Sequence, residues 1–476
     1  MKNKIYIDRR PLPILFLIEY RKTFLLLISF IVFFTFISSN NIPKSLTVEA
    51  YRTLVIFFFA IFLWVTNIIP LAITSLMVMG LLSSFHVLEV NKIYSFFGNK
   101  AVFFIIGSFI ISAGISSSGL SERIAYYVLS RFGDTPYKLV LSIFFLSALM
   151  AHIMPEHAVA ALLFPILVSV SKRLNLHSNS VLGKYMFFSL AWGSVIGGVV
   201  TFLGGARNPL AVGIMFEATG QNIGFMEWIV AIAPPVYLIM GIVALYIKRK
   251  VSASTKDTRL IENMITDNRK RMGKITFKEI KAAFILIVTI YMWIFHSERF
   301  GIANIALLSA ALFFVLNIMG WEDARKVIDW GPIFMYGGAI ALGRSLVETG
   351  LLEFISEQYI SNIDFTILSF ICSIFVISLF LTEGVSNAAV IVILLPVVLQ
   401  IASNFDYAPK LAVYLVAVPA GLAFMFPMSS PPNAIAFSSG YIKPSEAIKI
   451  GLIFKVISII VFTVFALIYW PLIGVY

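Results

Sequence analysis

Apolar runs of about 18–22 residues follow one another along this chain, each long enough to cross a lipid bilayer as a helix. At membrane depth the backbone has to satisfy its own polar groups, which leaves only helices or a closed barrel. The runs lack the in–out alternation of barrel strands, so the sequence predicts an all-α polytopic membrane protein. Composition agrees: charged residues make up 13% of the chain and apolar residues 59%, against about 25% charged in a soluble domain. The net charge of +12 does not point to nucleic acid, because Lys and Arg collect in the cytoplasmic loops of membrane proteins. The single cysteine, Cys372, lies inside an apolar run and excludes a disulfide framework.

The chain divides into four parts. Residues 1–50 hold a basic segment, Met1–Lys22, and a first apolar run that reads as a retained helix rather than a cleaved signal. Residues 51–247 form a first repeat and residues 282–476 a second. Between them, residues 248–281 carry 11 Lys/Arg against four acidic residues and read as a cytoplasmic linker. Each repeat contains a predicted re-entrant hairpin, 137–172 with its tip at 155–157 and 364–402 with its tip at 386–388. The arms of each hairpin are short for a full crossing, and polar backbone at that depth has to be buried in protein or line a cavity. Each repeat also contains an interrupted helix: 185–216, broken at Gly204–Pro209, and 409–440, broken at Ser429–Asn433.

The repeat is visible in the spacing. Gly107 and Gly338, Gly119 and Gly350, Pro155 and Ser386, and Pro165 and Pro396 are all 231 residues apart, while Asn208 and Asn433 are 225 apart. Five spans and a hairpin per repeat make the two copies inverted. With the N-terminus inside, roughly 27 basic residues fall on the cytoplasmic side and about 6 outside. Arg207, Arg344 and Lys455 then lie at membrane depth, and Val475-Tyr476 lies outside. Inverted repeats with helices broken at matching positions mark secondary transporters.

Several motifs carry a resemblance to one family. They are Leu63-Trp-Val-Thr-Asn-Ile-Ile-Pro-Leu-Ala-Ile-Thr74, Gly119-Leu-Ser-Glu-Arg-Ile-Ala125, the Gly337-Gly338…Gly350 run, and Ser429-Ser-Pro-Pro-Asn-Ala-Ile-Ala-Phe-Ser-Ser-Gly-Tyr441. In these the chain resembles the divalent anion:sodium symporters, which carry dicarboxylates, citrate or sulfate, with Asn67 in place of that family's acid. The resemblance implies one initial helix before two inverted five-helix repeats, a homodimer in the inner membrane, and an elevator-type movement. It also implies a Ser-Asn-Thr sequence at each hairpin tip. There Asn and Thr meet the substrate, and Ser-Asn with a hydroxyl four residues earlier holds sodium beside a broken helix. No organic cofactor is implied.

Carried over residue by residue, the second repeat keeps Thr382, Ser386, Asn387 and Ser429 as sodium-site residues. Ser386, Asn387, Ala388, Ser430, Pro431 and Asn433 fall at substrate positions, with Ala388 lacking the expected hydroxyl. The first repeat departs: Pro155, Glu156 and His157 replace Ser-Asn-Thr, Ala151 replaces the hydroxyl residue, and Arg207 enters the broken helix. Its substrate positions are Glu156, His157, Gly205, Arg207 and Asn208, with Glu156 and Arg207 also candidates for coupling or counter-charge.

An ionisable residue at membrane depth is a functional hypothesis by default. Glu156 and Arg207 can form a fixed ion pair in place of one sodium ion, Glu156 or His157 can take up a proton, or Arg207 can bind the anion directly. A pair that only locks loop to hairpin is the structural alternative. A non-transporting anion sensor is the alternative from another class. His152, Glu156 and His157 do not match the spacing of zinc enzymes, and His152 reads as a packing histidine. Arg344 reads as structural, and Trp228, Trp293, Trp321 and Trp330 as interfacial anchors.

Overall fold

The computed structural model describes residues 12–39, 42–43, 45–133, 135–252, 270, 272–360 and 366–476. The basic segment before residue 12, linker residues 253–269 and 271, and the first two residues of the second hairpin lie outside that set. The described residues are helical and contain no strand. Seven helices among them are long and apolar enough to cross a membrane, and several shorter apolar helices lie between these.

The chain begins with α1 (Leu12–Ile37), α2 (Val48–Thr66), α3 (Leu71–Ser84), the short α4 (Val90–Ser95) and α5 (Lys100–Ser118). Asn99 starts α5 by accepting the Ala101 N–H, and Gly119, at φ +83°, ends it. The amphipathic α6 (Leu120–Phe132) leads into α7 (Pro136–Met150) and α8 (Glu156–Arg173), the two arms of the first hairpin. Next come α9 (Val181–Gly198), α10 (Arg207–Thr219) and α11 (Phe225–Val251).

Past the linker the order is α12 (Phe277–Phe300), α13 (Ile302–Val315), α14 (Trp321–Val327), α15 (Trp330–Glu348) and α16 (Leu351–Ile355). The arms of the second hairpin are α17 (Ile367–Leu381) and α18 (Asn387–Asn404). They are followed by α19 (Pro409–Gly421), α20 (Pro431–Phe437) and α21 (Pro444–Leu472).

The two halves pack into each other through matching close approaches. A Cβ at Gly107 on α5 would lie 2.7 Å from Ala306 Cβ on α13, and one at Gly338 on α15 would overlap the Ser75 backbone on α3. Ser75 and Ala306 are themselves 231 residues apart, so the same pair of positions meets twice with the halves exchanged. Glycine lets the helix backbones come this close, as small residues do between membrane helices.

Two expectations need correction. The breaks lie earlier than expected, at 199–206 and 422–430. Pro209, Pro431 and Pro432 instead sit inside the first turns of α10 and α20, where a missing N–H leaves no hydrogen bond unmade. Trp228 and Trp293 are fully buried rather than interfacial. Trp228 donates to Val199 O at 3.0 Å, and Trp192 donates to Phe424 O at 3.4 Å. Each indole therefore serves a carbonyl freed by a break, which is the need that keeps it inside.

Candidate functional site

Both hairpin tips and both breaks line one cavity of about 570 Å³. Its walls include Glu156, His157, Gly205 and Arg207 from the first half and Ser386, Asn387, Ala388, Ser429, Ser430 and Pro431 from the second. Asn67, Phe109, Asp329 and Tyr336 complete it. The N-termini of α8, α10 and α18 sit at this cavity, so unpaired backbone N–H groups and the positive ends of three helices face it.

Asn208 and Asn433 do not line the cavity. Both are buried, and both tie a break together from behind. Asn208 Nδ2 donates to Thr201 O at 2.7 Å and Gly198 O at 3.2 Å. Asn433 Nδ2 donates to Ala423 O at 3.0 Å and to Ser429 Oγ at 2.9 Å.

In the second half, Ser386 caps α18 by accepting the Ala389 N–H. Thr382 is fully buried and its Oγ1 lies 2.7 Å from Ala420 O, a carbonyl at the end of α19. The Asn387 amide faces Thr382 Oγ1 at 2.8 Å, Ser429 O at 2.8 Å and Ala420 O at 3.1 Å. With its nitrogen turned inward the amide donates to all three. With Oδ1 inward, four oxygens from tip and break gather at one spot, which is the donor set a hard cation takes.

The first half builds something else at the corresponding place. Glu156 begins α8, and its N–H donates to Gly204 O at 2.9 Å. Its carboxylate accepts two hydrogen bonds from Arg207, Nη1 to Oε1 at 2.9 Å and Nη2 to Oε2 at 3.1 Å. The side chains of this fork-to-fork pair are 3% and 6% exposed. Glycines make room for it: a Cβ at Gly205 would lie 2.7 Å from Arg207 Cζ, and one at Gly198 or Gly421 would overlap Glu156 or Arg207. No side-chain hydroxyl is available, because Ala151 stands opposite Thr382 in the repeat. The pair is neutral as a unit, so an anion entering the cavity gains little net charge from it.

Reading the sequence missed a second buried pair. Glu383, in the second tip, accepts from the N–H groups of Phe424 (2.9 Å), Met425 (3.2 Å) and Phe426 (3.0 Å). Lys455 of α21, fully buried, lies 2.9 Å from Glu383 Oε1 and also bonds Leu379 O. The clue was present, since an acid inside the tip and a lysine inside an apolar run both cost free energy unless paired. Asp329 was missed too; it caps α15 at the Gly331 N–H and lines the cavity beside His157. His157 itself packs edge-on against Phe109 at 5.9 Å. His152 points elsewhere, stacking on Tyr237 with Nε2 3.2 Å from its hydroxyl. Arg344 bonds Glu348 at 2.6 Å and the Glu217 carbonyl, away from the cavity.

Paired broken helices and hairpin tips around one polar cavity, in an apolar helical body, define a multi-pass membrane transporter. Comparison with known proteins gives the family. The one described as "Sodium:sulfate symporter transmembrane region" matches residues 21–476, and the chain belongs to it, a member of the divalent anion:sodium symporters rather than an enzyme. It is 25% identical over 429 residues to a sodium-dependent dicarboxylate transporter, SdcS, of Staphylococcus saprophyticus, covering 84% of this chain and 82% of that one. The SdcS of Staphylococcus aureus is also 25% identical, over 447 residues, covering 88% and 86%.

Two solved structures share the fold. The YdaH transporter of Alcanivorax borkumensis aligns with a TM-score of 0.57 at 14% identity, covering 89% of this chain and 99% of that one. MtrF of Neisseria gonorrhoeae aligns with a TM-score of 0.54 at 14% identity, covering 79% and 82%.

Proposed function

We propose that this protein carries a small divalent oxyanion, a dicarboxylate or sulfate, across the inner membrane, coupled to sodium at the second-half site. The observation that carries this reading is the oxygen cluster of Thr382, Asn387, Ala420 and Ser429 beside the cavity. The first half offers no comparable cluster, and there the Arg207 guanidinium serves as a fixed cation locked to Glu156. With that pair neutral and Asp329 acidic, sodium is needed to make the cavity attractive to a dianion. Sodium in turn fixes the Asn387 amide and the tip around it, which links the two binding events.

The cavity residues Glu156, His157, Gly205, Arg207, Ser386, Asn387, Ala388, Ser430 and Pro431 form the substrate site. Asn208 and Asn433 support it from behind. The two halves are inverted repeats and the tips move together with the broken helices in an elevator-type step. The N-terminus is cytoplasmic, the C-terminus outside, and the protein works as a homodimer; these readings rest on the charge distribution and the family resemblance.

The deciding measurement is uptake of radiolabelled succinate and sulfate into proteoliposomes, with sodium and pH gradients imposed separately. Sodium-driven uptake with a sodium Hill coefficient near one, from the single oxygen cluster, is the expected result. Absence of uptake of either anion under every gradient would overturn the reading. A second reading is favoured by the Glu156–Arg207 pair alone: proton coupling or anion exchange in place of sodium. It predicts sodium-independent uptake driven by pH or by anion inside the vesicle.

A further inference from the structure

The cavity wall has many polar groups, and nearly all are already hydrogen-bonded. Among the described residues that line it, two carry a buried side-chain polar atom with no partner: Arg207, at Nε, and Tyr336, at Oη. Buried polar groups left unbonded are rare in native proteins, and each asks for an explanation. Both atoms can donate, and an anion is the ligand that satisfies donors. Arg207 has a visible task through its other two nitrogens. Tyr336 has none.

Tyr336 projects from the middle of α15 and is fully buried. The charges that act on its hydroxyl are Arg207 and Asp329, both also in the cavity wall. Its ring is held next to Gly337 and Gly338, where the helix packs tightly, so the hydroxyl is presented on rigid backbone. At the hairpin tips, positions 157 and 388 are histidine and alanine, which leaves this cavity short of side-chain hydroxyls.

We propose that the Tyr336 hydroxyl donates a hydrogen bond to the transported oxyanion and is a specificity-determining residue of this site. The inference rests on the anion-transport reading. It adds a contact from outside the tips and breaks, on a helix that the sequence gave no reason to include. A phenol donor favours an anionic acceptor oxygen and gives nothing to an uncharged analogue of the same shape. Lost hydrogen bonds to charged groups are the stronger class, so removing this one raises KM on the order of tenfold.

The test is Tyr336→Phe, which keeps the ring and removes only the oxygen. Succinate and sulfate uptake into proteoliposomes is measured against anion concentration, then against sodium at saturating anion. In parallel, thermal unfolding of purified protein is followed with and without each anion. The expected result is an anion KM raised on the order of tenfold, a sodium half-saturation within about twofold of wild type, and a smaller stabilisation by anion. The melting temperature without anion stays the same or rises, since an unbonded hydroxyl has been removed.

An anion KM and anion-induced stabilisation matching wild type would overturn the proposal and leave the hydroxyl to a water molecule. A variant unstable without anion, or one losing sodium affinity equally, would make the hydroxyl structural and overturn it too. Should wild-type protein transport neither anion, the transport reading fails on its own. Anion-induced stabilisation of wild type against Tyr336→Phe still decides whether the hydroxyl binds anion, and no difference sinks the proposal.

Discussion

Replacing Glu156 with Gln isolates what the first-half ion pair does. The change keeps shape and removes one charge, so Arg207 remains cationic in a site where its side chain is 3% exposed. Two charge-assisted hydrogen bonds, at 2.9 and 3.1 Å, become at best one bond to a neutral amide oxygen. Breaking a buried pair from one side costs about 3–5 kcal/mol, because the surviving charge is uncompensated. That is a large share of the roughly 5–15 kcal/mol that holds a typical domain together.

The double variant Glu156→Gln with Arg207→Met removes both charges and should recover most of the loss, since replacing a whole buried pair by apolar groups is often neutral. Thermal unfolding of purified protein measures both. An additional signature separates a counter-charge from a simple brace. In Glu156→Gln the guanidinium seeks an anion, so sulfate or succinate should stabilise this variant more than wild type. Loss of less than about 1 kcal/mol in the single variant, against the 3–5 kcal/mol expected, would refute the reasoning. So would failure of the double variant to recover stability.

Other outcomes follow from the same geometry. Thr382→Val removes one oxygen of the candidate sodium cluster and should raise the sodium half-saturation constant about tenfold, read from sodium-dependent uptake; an unchanged value would move the cation elsewhere. Glu383→Gln leaves Lys455 buried without its partner and should destabilise the protein by about 3–5 kcal/mol in the same unfolding assay, with Lys455→Met added to recover it. Gly421→Ala places a methyl group on the Arg207 guanidinium. It should displace the pair and weaken anion binding, seen as a raised KM for succinate, unless the guanidinium has room to swing aside.

The membrane class, the order of elements and the positions of both hairpins were legible in the sequence because each rests on a local rule. Apolar runs fix helices, and Ser386 and Gly384 end one arm and start the next through backbone preferences that need no distant partner. The breaks were placed late because proline was read as the interruption. In the folded chain Pro431 and Pro432 begin the new helix, and the unwound stretch precedes them. The tryptophans were misjudged for a similar reason. An indole at the expected depth reads as an interface anchor until a freed carbonyl, such as Val199 O for Trp228, is seen next to it.

The sequence by itself determined that this chain spans the membrane as two matched halves, and that the first tip had exchanged Ser-Asn-Thr for Pro-Glu-His. Periodicity and spacing are properties of a string. Only the tertiary structure decided which charges meet. It set Arg207 on Glu156 between Gly205 and Gly421, Lys455 on Glu383 across 72 residues of sequence, and Tyr336 at the cavity with its hydroxyl unbonded. Each of these depends on two helix surfaces brought to within hydrogen-bonding distance, and no local preference records which surfaces those will be.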